Sequence, residues 1–462
     1  MSIEVVEVGK EQISLITSRQ ESHFLDFKAI EITPGNLTRT VSAFSNSSGG
    51  ELYIGIDQTD VMGDTVFMWR GFANPEDANG HIQIFEKLFP LGQYYNYTFL
   101  KSTSAPGLVL HVEVRKSRQI AYASDRIAYL RRGAQNLPQK SEEELRRLRL
   151  DKGVVSFESE TVAAPAKVLI EAIPLLEFLK TVVPTAKPKD WLLKQLMVVG
   201  GKPTVAGVLL FSGEPQAVIP KHCGVKIYRY KTTEAVGTRE TLAFDPITIE
   251  GHLYAQIKSA VEKTIALVED MKKLGTTGFE RIEYPHEALH EILTNALLHR
   301  DYSVASDVHI RIFDNRIEVE SPGKLPGHVT VRNILSEQLA RNGAIVRMIN
   351  KFPDAPNKDV GEGLNTAFTA MNKLKLKPPV IEERESSVVV HILHEPLASP
   401  EETVIAYLDT HPQIYNKVGR EITGITSENT MKKVFYKLRD SGLIEAVLRP
   451  SGAAYAWRKV KK

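Results

Sequence analysis

The segment 285–302, which reads PHEALHEILTNALLHRDY, constrains this chain more than any other part of its sequence. Its apolar residues recur at the spacing of one helical face, and they are Leu289, Ile292, Leu293, Ala296 and Leu297. Glu291 and Asn295 are four positions apart, so a helix would hold both side chains on one face beside that apolar stripe. Such a pair suits a nucleotide, because the amide oxygen can ligate a phosphate-bound cation and the carboxylate can orient a water or take its proton.

The residues that follow decide between this interpretation and a polar edge on an ordinary core helix, which would explain an isolated ExxxN pattern. Two strand-like runs, 307–313 and 317–320, flank a short polar turn. The glycine turn SPGKLP follows at 321–326, and a second glycine turn, GEGLN, opens a predicted helix at 361–365. Glycines let backbone N–H groups approach phosphates, and the start of a helix favours anions. The order therefore favours a nucleotide pocket.

The order ExxxNAxxHRDY, SPGKLP, RN and GEGL resembles the GHKL-type ATPase domain of proteins often labelled RecG-like, a superfamily shared with gyrase and histidine kinases. The resemblance implies ATP as ligand, Glu291 as general base and Asn295 as a ligand of Mg²⁺ or Mn²⁺. It also implies nucleotide-binding roles for Gly323, Arg341, Asn342, Gly361 and Gly363. The superfamily reads adenine with an Asp in its first glycine box, where this chain has ESPG at 320–323. The resemblance therefore supports phosphate binding more strongly than adenine recognition.

Composition sets the broader limits. A chain of 462 residues with a quarter of them charged is an ordinary globular protein of two to four domains. The net charge of +2 neither requires nor excludes nucleic acid, so any basic surface must be local. The single cysteine, Cys223, and the absence of signal-like or spanning apolar runs predict a cytoplasmic protein without a membrane partner. GGKPT at 200–204 lacks the upstream glycine of a phosphate-binding loop, which argues against a helicase motor.

Three acids of the first third lie in or beside predicted strands, and they are Glu21, Asp26 and Asp57. Strand-borne acids that converge can hold a divalent metal through oxygen ligands. The alternative is that Asp57 caps a loop and that Glu21 and Asp26 are solvated. From spacing alone the second interpretation is favoured.

ESxxxDFK at 21–28, followed by AFSNSSGGELYIGID at 43–57, resembles the AlbA-type domain shared by Schlafen proteins and bacterial relatives. The resemblance continues through Lys116-Ser117 and into YLRRGAQN at 129–136. It implies nucleic-acid binding and, in the Schlafen branch, metal-dependent cleavage of RNA by three acids. Glu21, Asp26 and Asp57 fall on those positions, with Asp26 where Glu is more usual. Phosphate contacts would come from Lys28, Lys116, Arg118, Arg131 and Arg132, each of which could equally be a solvated surface residue.

The last part of the chain follows a linker at 396–400. Three predicted helices and a two-stranded wing resemble a winged helix-turn-helix. Residues 401–462 hold 11 Lys/Arg and 7 Asp/Glu, so this end is locally basic. The third helix carries Lys432, Lys433, Lys437 and Arg439. DNA binding and protein interaction are equally favoured for this part.

Together these patterns predict an α/β (α+β) chain. Its expected domains are an AlbA-type domain at 1–155, an α/β connecting region at 156–280, a GHKL-type ATPase domain at 281–397 and a winged helix at 398–462. The first interpretation is an ATP hydrolase that gates an AlbA-type domain, which binds RNA or DNA and, in a stronger version, cleaves it with a divalent metal. The alternatives are an ATP-responsive DNA-binding transcription regulator without nuclease activity, and ATP-driven assembly with nucleic acid as a scaffold. A homo-oligomer is expected.

Overall fold

The computed structural model describes residues 4–61, 64–89, 95–219, 223–275, 278–281, 284–356, 363–394, 400–423, 425, 427–448 and 454–460. The chain forms two compact units, residues 1–370 with 379–392 and residues 371–378 with 393–462. Helices and sheets alternate throughout, which confirms the mixed α/β fold class. Within the described ranges, every helix is too short or too polar to cross a membrane.

The first part of the larger unit is built on a five-stranded sheet of order β1-β6-β7-β3-β2. Its strands and helices are β1 (Val5–Glu7), α1 (Lys10–Thr17), β2 (Leu25–Lys28), α2 (Pro34–Asn46), β3 (Gly50–Ile54), β4 (Ile56–Val61), β5 (Asp64–Trp69), α3 (Asn79–Leu88), β6 (Tyr95–Lys101), β7 (Leu108–Val114), β8 (Ala128–Arg132), β9 (Gln135–Gln139) and α4 (Glu142–Asp151). The strand predicted around Glu21 is only four residues long and begins at Leu25. Helix α2 begins at Pro34, where proline is tolerated in the first turn.

Helix α2 carries the AFSN sequence, and its side chains explain that sequence structurally. Phe44 is buried in the core between α2, α3 and the sheet. The Asn46 amide donates to the carbonyls of Ala121 and Tyr129 at 2.8 and 3.0 Å, and its oxygen accepts from the Ala121 N–H. This one side chain therefore links helix α2 to the backbone of two other segments, at Ala121 and in strand β8.

The connecting region adds a small helical cluster and the edge of a second sheet. Its elements are α5 (Lys167–Ile170), α6 (Ile173–Val182), α7 (Pro188–Lys194), β10 (Val198–Val199), β11 (Lys202–Pro203), α8 (Val205–Phe211), α9 (Pro215–Val218), β12 (Val225–Arg229), β13 (Ile247–Ile249), α10 (Leu253–Glu269), β14 (Lys272–Gly275) and β15 (Gly278–Arg281). The apolar run after Thr204 forms helix α8, and the Thr204 hydroxyl caps it by accepting from the Gly207 N–H. All seven residues of α8 are buried, and a short apolar run cannot be assigned by periodicity.

The second sheet has six strands in the order β13-β12-β16-β17-β19-β18, so the connecting region and the segment after it share one sheet. The later elements are α11 (His286–Leu298), β16 (Val308–Ile312), β17 (Arg316–Pro322), α12 (Gly343–Ile349), α13 (Gly363–Lys373), β18 (Val380–Glu383) and β19 (Ser387–Leu393). Strands β16 and β17 form the expected hairpin, with Ile310 opposite Val319. Helix α11 packs on this sheet through its apolar stripe, which is fully buried.

The smaller unit holds α14 (Pro400–Thr410), α15 (Asn416–Thr423), α16 (Glu428–Asp440), β20 (Ile444–Leu448) and β21 (Ala454–Lys459). Strands β20 and β21 pair antiparallel, and Ile414 bridges to Trp457 as a third short rung. Val404, Met431 and Phe435 are fully buried in a core of its own. Three helices followed by a two-stranded sheet are the elements expected of a winged helix, and DNA binding by them stays a prediction.

Candidate functional site

Helix α11 presents the predicted pair to a cavity of about 260 Å³. Glu291 and Asn295 both line this space, which we call the α11 cavity, and both side chains are half-buried. The Asn295 amide nitrogen donates to Glu291 Oε1 at 2.8 Å. Because that hydrogen bond uses the nitrogen, the amide oxygen is the atom that would ligate a cation. A half-buried carboxylate beside it can accept a proton from a water in the cavity.

The wall opposite α11 is strand β17, whose side chains alternate. Val319 and Ser321 line the cavity. Glu320 lies between them and accepts hydrogen bonds from Arg311 and Ser387, both at 2.7 Å. The Ser321 hydroxyl donates to the Ala296 carbonyl at 2.7 Å. On this strand Ser321 faces the cavity and Glu320 does not, which follows from the two-residue period of a strand, and Lys324 of the same glycine turn also lines the cavity.

Gly323 directly follows strand β17 and lines the cavity, and its backbone conformation favours glycine. Its φ is +101°, and a Cβ atom built on it would lie 2.5 Å from Asp301 Cβ. Its N–H donates to the Ser386 carbonyl at 2.8 Å. Glycine is therefore required here because the backbone passes close to Asp301 and adopts a positive φ.

We expect Gly323→Ala to lower the free energy of unfolding by roughly 1–3 kcal/mol, because the residue must adopt a strained φ and displace Asp301. Gly343→Ala is the matched control, since no atom lies within 4 Å of its built Cβ and it opens helix α12. Chemical denaturation of both variants checks the prediction. A Gly323→Ala protein as stable as Gly343→Ala would show that the crossing relaxes freely.

The second glycine turn lies partly outside the described residues, since Gly361 falls in the range 357–362 and Gly363 is described. Gly363 lines the cavity at the first residue of α13. Its built Cβ would lie 3.9 Å from Glu291 Oε1, so the start of this helix and the carboxylate face the same space. A helix start beside a cavity favours a phosphate group there.

The structure places Arg341 and Asn342 outside the lining of the cavity, and their nucleotide-binding role stays a prediction. Both are buried, and neither lines the cavity. Arg341 donates to the carbonyls of Leu150 and Lys324 at 2.9 and 2.6 Å. The Asn342 amide donates to the carbonyls of Leu298 and Arg300, both at 2.9 Å. Both side chains hold backbone carbonyls near the cavity. The resemblance indicates that they lie near the pocket, but it does not indicate which way their side chains point.

His299 lines the cavity one turn beyond Asn295, and sequence patterns did not single it out as a ligand contact. Burial, with a further contribution from Arg341, lowers the pKa of His299 to about 4. The imidazole is therefore neutral at neutral pH and can accept or donate one hydrogen bond. The signal that could have found it is its position, four residues after Asn295 on the same helical face.

In the first sheet, Glu21 and Asp26 lie together beside Lys28. The Lys28 ammonium is 2.9 Å from Asp26 and 3.3 Å from Glu21. Burial, together with a hydrogen bond to Asp26, raises the pKa of Glu21. Asp26 is 1% exposed, accepts from the Thr40 hydroxyl at 3.1 Å and forms an ion pair with Arg131 at 3.1 Å. These two acids are thus held by cations of the chain itself.

Asp57 has separate partners, so the three acids do not meet as a metal site. Its carboxylate contacts Arg70 at 3.4 Å, and Arg70 also pairs with Glu31 at 2.6 Å. Within the described ranges, no three His, Cys, Asp or Glu side chains form a group that could hold a metal ion. The structure places the predicted metal ligands beside cations of the chain, Asp26 with Arg131 and Lys28 and Asp57 with Arg70, and their role in holding a metal stays a prediction.

Two of the predicted phosphate-binding cations are buried. Arg131 is 4% exposed and donates to Asp26, to the Ser22 and Leu25 carbonyls and to Asn136. Lys116 is also buried, and its contacts are described below. Both side chains contact oxygen atoms of the chain itself, and their contacts to phosphate stay a prediction. Lys28 is half-buried between two acids, whereas Arg118 and Arg132 are exposed, the latter paired with Glu385.

Helix α4 contacts the segment that follows α11 through Arg147. Arg147 forms ion pairs with Asp301 and with Asp151 of its own helix, and it donates to the Ser303 hydroxyl at 2.9 Å. Burial acts to raise the pKa of Asp301, but Arg341 and Arg147 prevail and lower it. The predicted capping box is present, since Ser141 Oγ accepts from the Glu144 N–H.

In the smaller unit, the three lysines predicted to bind nucleic acid lie on the exposed face of α16. Met431, Val434, Phe435 and Leu438 form the buried face. Lys432 pairs with Glu428 at 2.7 Å and Lys437 pairs with Glu401 at 2.8 Å. Lys433 is exposed between them. These positions are compatible with a helix that meets a partner, and they leave the class of partner open.

Two segments of the chain match family models. Residues 21–140 match the family described as "Schlafen, AlbA_2". Residues 305–392 match the family described as "Putative ATP-dependent DNA helicase recG C-terminal". The helix that carries Glu291 and Asn295 precedes the second match. No curated protein matches the chain.

Two solved structures are also similar to this chain. The DIP2311 protein from Corynebacterium diphtheriae is 17% identical over 95% of this chain and 92% of that chain, with a TM-score of 0.41. The N-terminal domain of a RecG-related protein from Nitrosomonas europaea is 19% identical over 29% of this chain and 89% of that chain, with a TM-score of 0.23. The two family matches together support a nucleic-acid-related, ATPase-like protein. The chain therefore carries a Schlafen AlbA_2 domain over residues 21–140 and a RecG-type, ATPase-like domain over residues 305–392.

Proposed function

We propose that this protein binds ATP in the α11 cavity, hydrolyses it with Glu291 as general base, and uses the nucleotide to regulate how its AlbA_2 domain binds nucleic acid. The observation that carries the proposal is the hydrogen-bonded pair Glu291 and Asn295, which faces a cavity that also includes the first residue of α13. A carboxylate, an amide oxygen and a helix start are the groups needed beside a triphosphate.

Each group of the cavity has a defined task in this proposal. The Glu291 carboxylate orients the attacking water and takes its proton. Asn295 keeps that carboxylate in place through the 2.8 Å hydrogen bond and offers its amide oxygen to Mg²⁺. When bound, Mg²⁺ would neutralise charge on the phosphate oxygens. The neutral His299 and the Ser321 hydroxyl, together with the lining residues Lys324, Gln338 and Asn365, are available to contact the base or ribose.

We further propose that the AlbA_2 domain binds nucleic acid without cutting it. Asp26 and Asp57 are each paired with arginine, and the three predicted acids do not form a metal-binding group. In the regulator, the exposed face of α16 that carries Lys432, Lys433 and Lys437 would be a second surface for duplex DNA. A homo-oligomer remains an expectation from the family.

The test is incubation of the purified protein with labelled tRNA, single-stranded DNA and duplex DNA, with Mg²⁺ or Mn²⁺, with and without ATP. We expect a mobility shift that ATP alters, and intact nucleic acid in every lane. The Asp57→Ala variant should behave like the unaltered protein, because its carboxylate pairs with Arg70 rather than with Glu21 and Asp26. Cleavage that disappears in Asp57→Ala would establish the nuclease instead.

A further inference from the structure

The loop after Gly323 is a wall of the α11 cavity and is held by a residue of the AlbA_2 domain. Leu325 and Val329 both line the cavity. The ammonium of Lys116, two residues after strand β7, donates to the Leu325 carbonyl at 2.8 Å and to the Val329 carbonyl at 3.0 Å. We call this part of the cavity wall, residues 323–329, the 323–329 loop. One side chain of the first domain therefore holds two of its carbonyls.

The same loop is fixed from the other side by its own domain. The Leu325 N–H donates to Glu383 Oε1 at 2.8 Å, and that oxygen lies 3.9 Å from the Lys116 ammonium. The Lys116 side chain is 7% exposed, so both hydrogen bonds to carbonyls are shielded from water. A buried amine with two acceptors and a nearby carboxylate is costly to leave unpaired, so the loop and Lys116 should move together.

A second buried lysine, Lys152, extends the contacts of Lys116 further into the AlbA_2 domain. Lys152, which ends α4, donates to the Ser45 carbonyl at 2.5 Å and to the Ser117 carbonyl at 2.6 Å. Burial, together with the charge of Lys116, lowers the pKa of Lys152 well below its ordinary value. Ser45 belongs to the AFSNSSGG segment and Ser117 follows Lys116, so the sequence features that resemble the AlbA-type family meet at this contact with α4.

We propose that Lys116 is a positioning residue for the α11 cavity and that it transmits nucleotide occupancy to the AlbA_2 domain. This inference rests on the proposed function, because it requires a nucleotide in the cavity. A ligand that orders the 323–329 loop also orders the two carbonyls that Lys116 holds. Lys116 in turn carries that ordering to Ser117 and, through Lys152, to Ser45. Coupling of this kind is reciprocal, so binding at the AlbA_2 domain would alter nucleotide affinity by the same factor.

The test is hydrogen exchange of the full chain with and without a non-hydrolysable ATP analogue and Mg²⁺. In the unaltered protein, the analogue should slow exchange both in the 323–329 loop and in residues 112–118. In Lys116→Met, the loop should remain protected at saturation while residues 112–118 lose their response. The analogue should also bind about tenfold more weakly to Lys116→Met, which is the scale of a hydrogen bond.

Two further variants separate transmission from a loss of fold. Lys101→Met removes an exposed lysine at the end of β6 and should leave both responses unchanged. Lys116→Gln keeps one donor for a carbonyl and should give an intermediate response, which tests the inference even where Lys116→Met does not fold. Protection of residues 112–118 that persists in Lys116→Met or Lys116→Gln at full strength would overturn the inference while leaving the proposed function intact. No protection of the loop in the unaltered protein would overturn both.

Discussion

Glu291→Gln should lower the rate of ATP hydrolysis by about 10²–10⁴-fold, the range typical of removing a general base. Affinity for ATP should change little, because glutamine has nearly the same volume and its oxygen can still accept the hydrogen bond from Asn295. The phosphate groups would still meet the start of α13 and the amide oxygen of Asn295. Phosphate release at saturating ATP, with ATP affinity measured by calorimetry, separates the two effects.

Glu287→Gln is the matched control for this experiment. Glu287 lies one turn earlier on α11, is exposed and does not line the cavity. Its substitution changes net charge by the same amount, so a general electrostatic effect on ATP would appear in both variants. Unchanged turnover in Glu291→Gln would sink the general-base assignment, and a large loss of ATP affinity would reassign Glu291 to nucleotide binding.

The features of this site that could be predicted from the sequence depend on residues close together in the chain. The helical spacing of Glu291 and Asn295 fixes their common face without knowledge of any other segment, and the structure places both at one cavity. Glycine-rich turns and a β-hairpin follow from short-range preferences in the same way. Which residue of the first glycine turn faces the cavity could have been inferred from strand alternation, because Val319 and Ser321 have the same parity and Glu320 the opposite one.

The part that could not be predicted depends on long-range burial of charge. Lys116, Arg131 and Arg341 are cations that composition and motif assign to phosphates, yet each is buried with oxygen partners up to about two hundred positions away in the chain. A sequence shows the charge of a side chain but not whether tertiary packing brings acceptors around it. Arg147 of helix α4 likewise pairs with Asp301, a contact between distant parts of the chain.

Arg131→Met should lower the free energy of unfolding by about 3 kcal/mol, the lower end of the range for breaking a buried ion pair, because Lys28 still contacts the Asp26 carboxylate. Asp26 is 1% exposed, and the guanidinium also satisfies the Ser22 and Leu25 carbonyls. Arg132→Met is the neighbouring control. Its side chain is exposed and paired with Glu385 at the surface, so its loss should change stability by about 0–1 kcal/mol. Denaturant unfolding followed by circular dichroism checks both values.

The double variant Asp26→Leu with Arg131→Met decides what kind of residue Arg131 is. If Arg131→Met destabilises the protein because the buried Asp26 carboxylate has lost its arginine, then removing that carboxylate as well should recover part of the lost stability. The effects of the two substitutions on the free energy of unfolding will then be non-additive. Lys28 would keep a partner in Glu21, at 3.3 Å. If Arg131 were instead a phosphate contact, the single variant would unfold like the unaltered protein and lose affinity for nucleic acid. A stable Arg131→Met protein with weakened binding would therefore support the predicted phosphate contact.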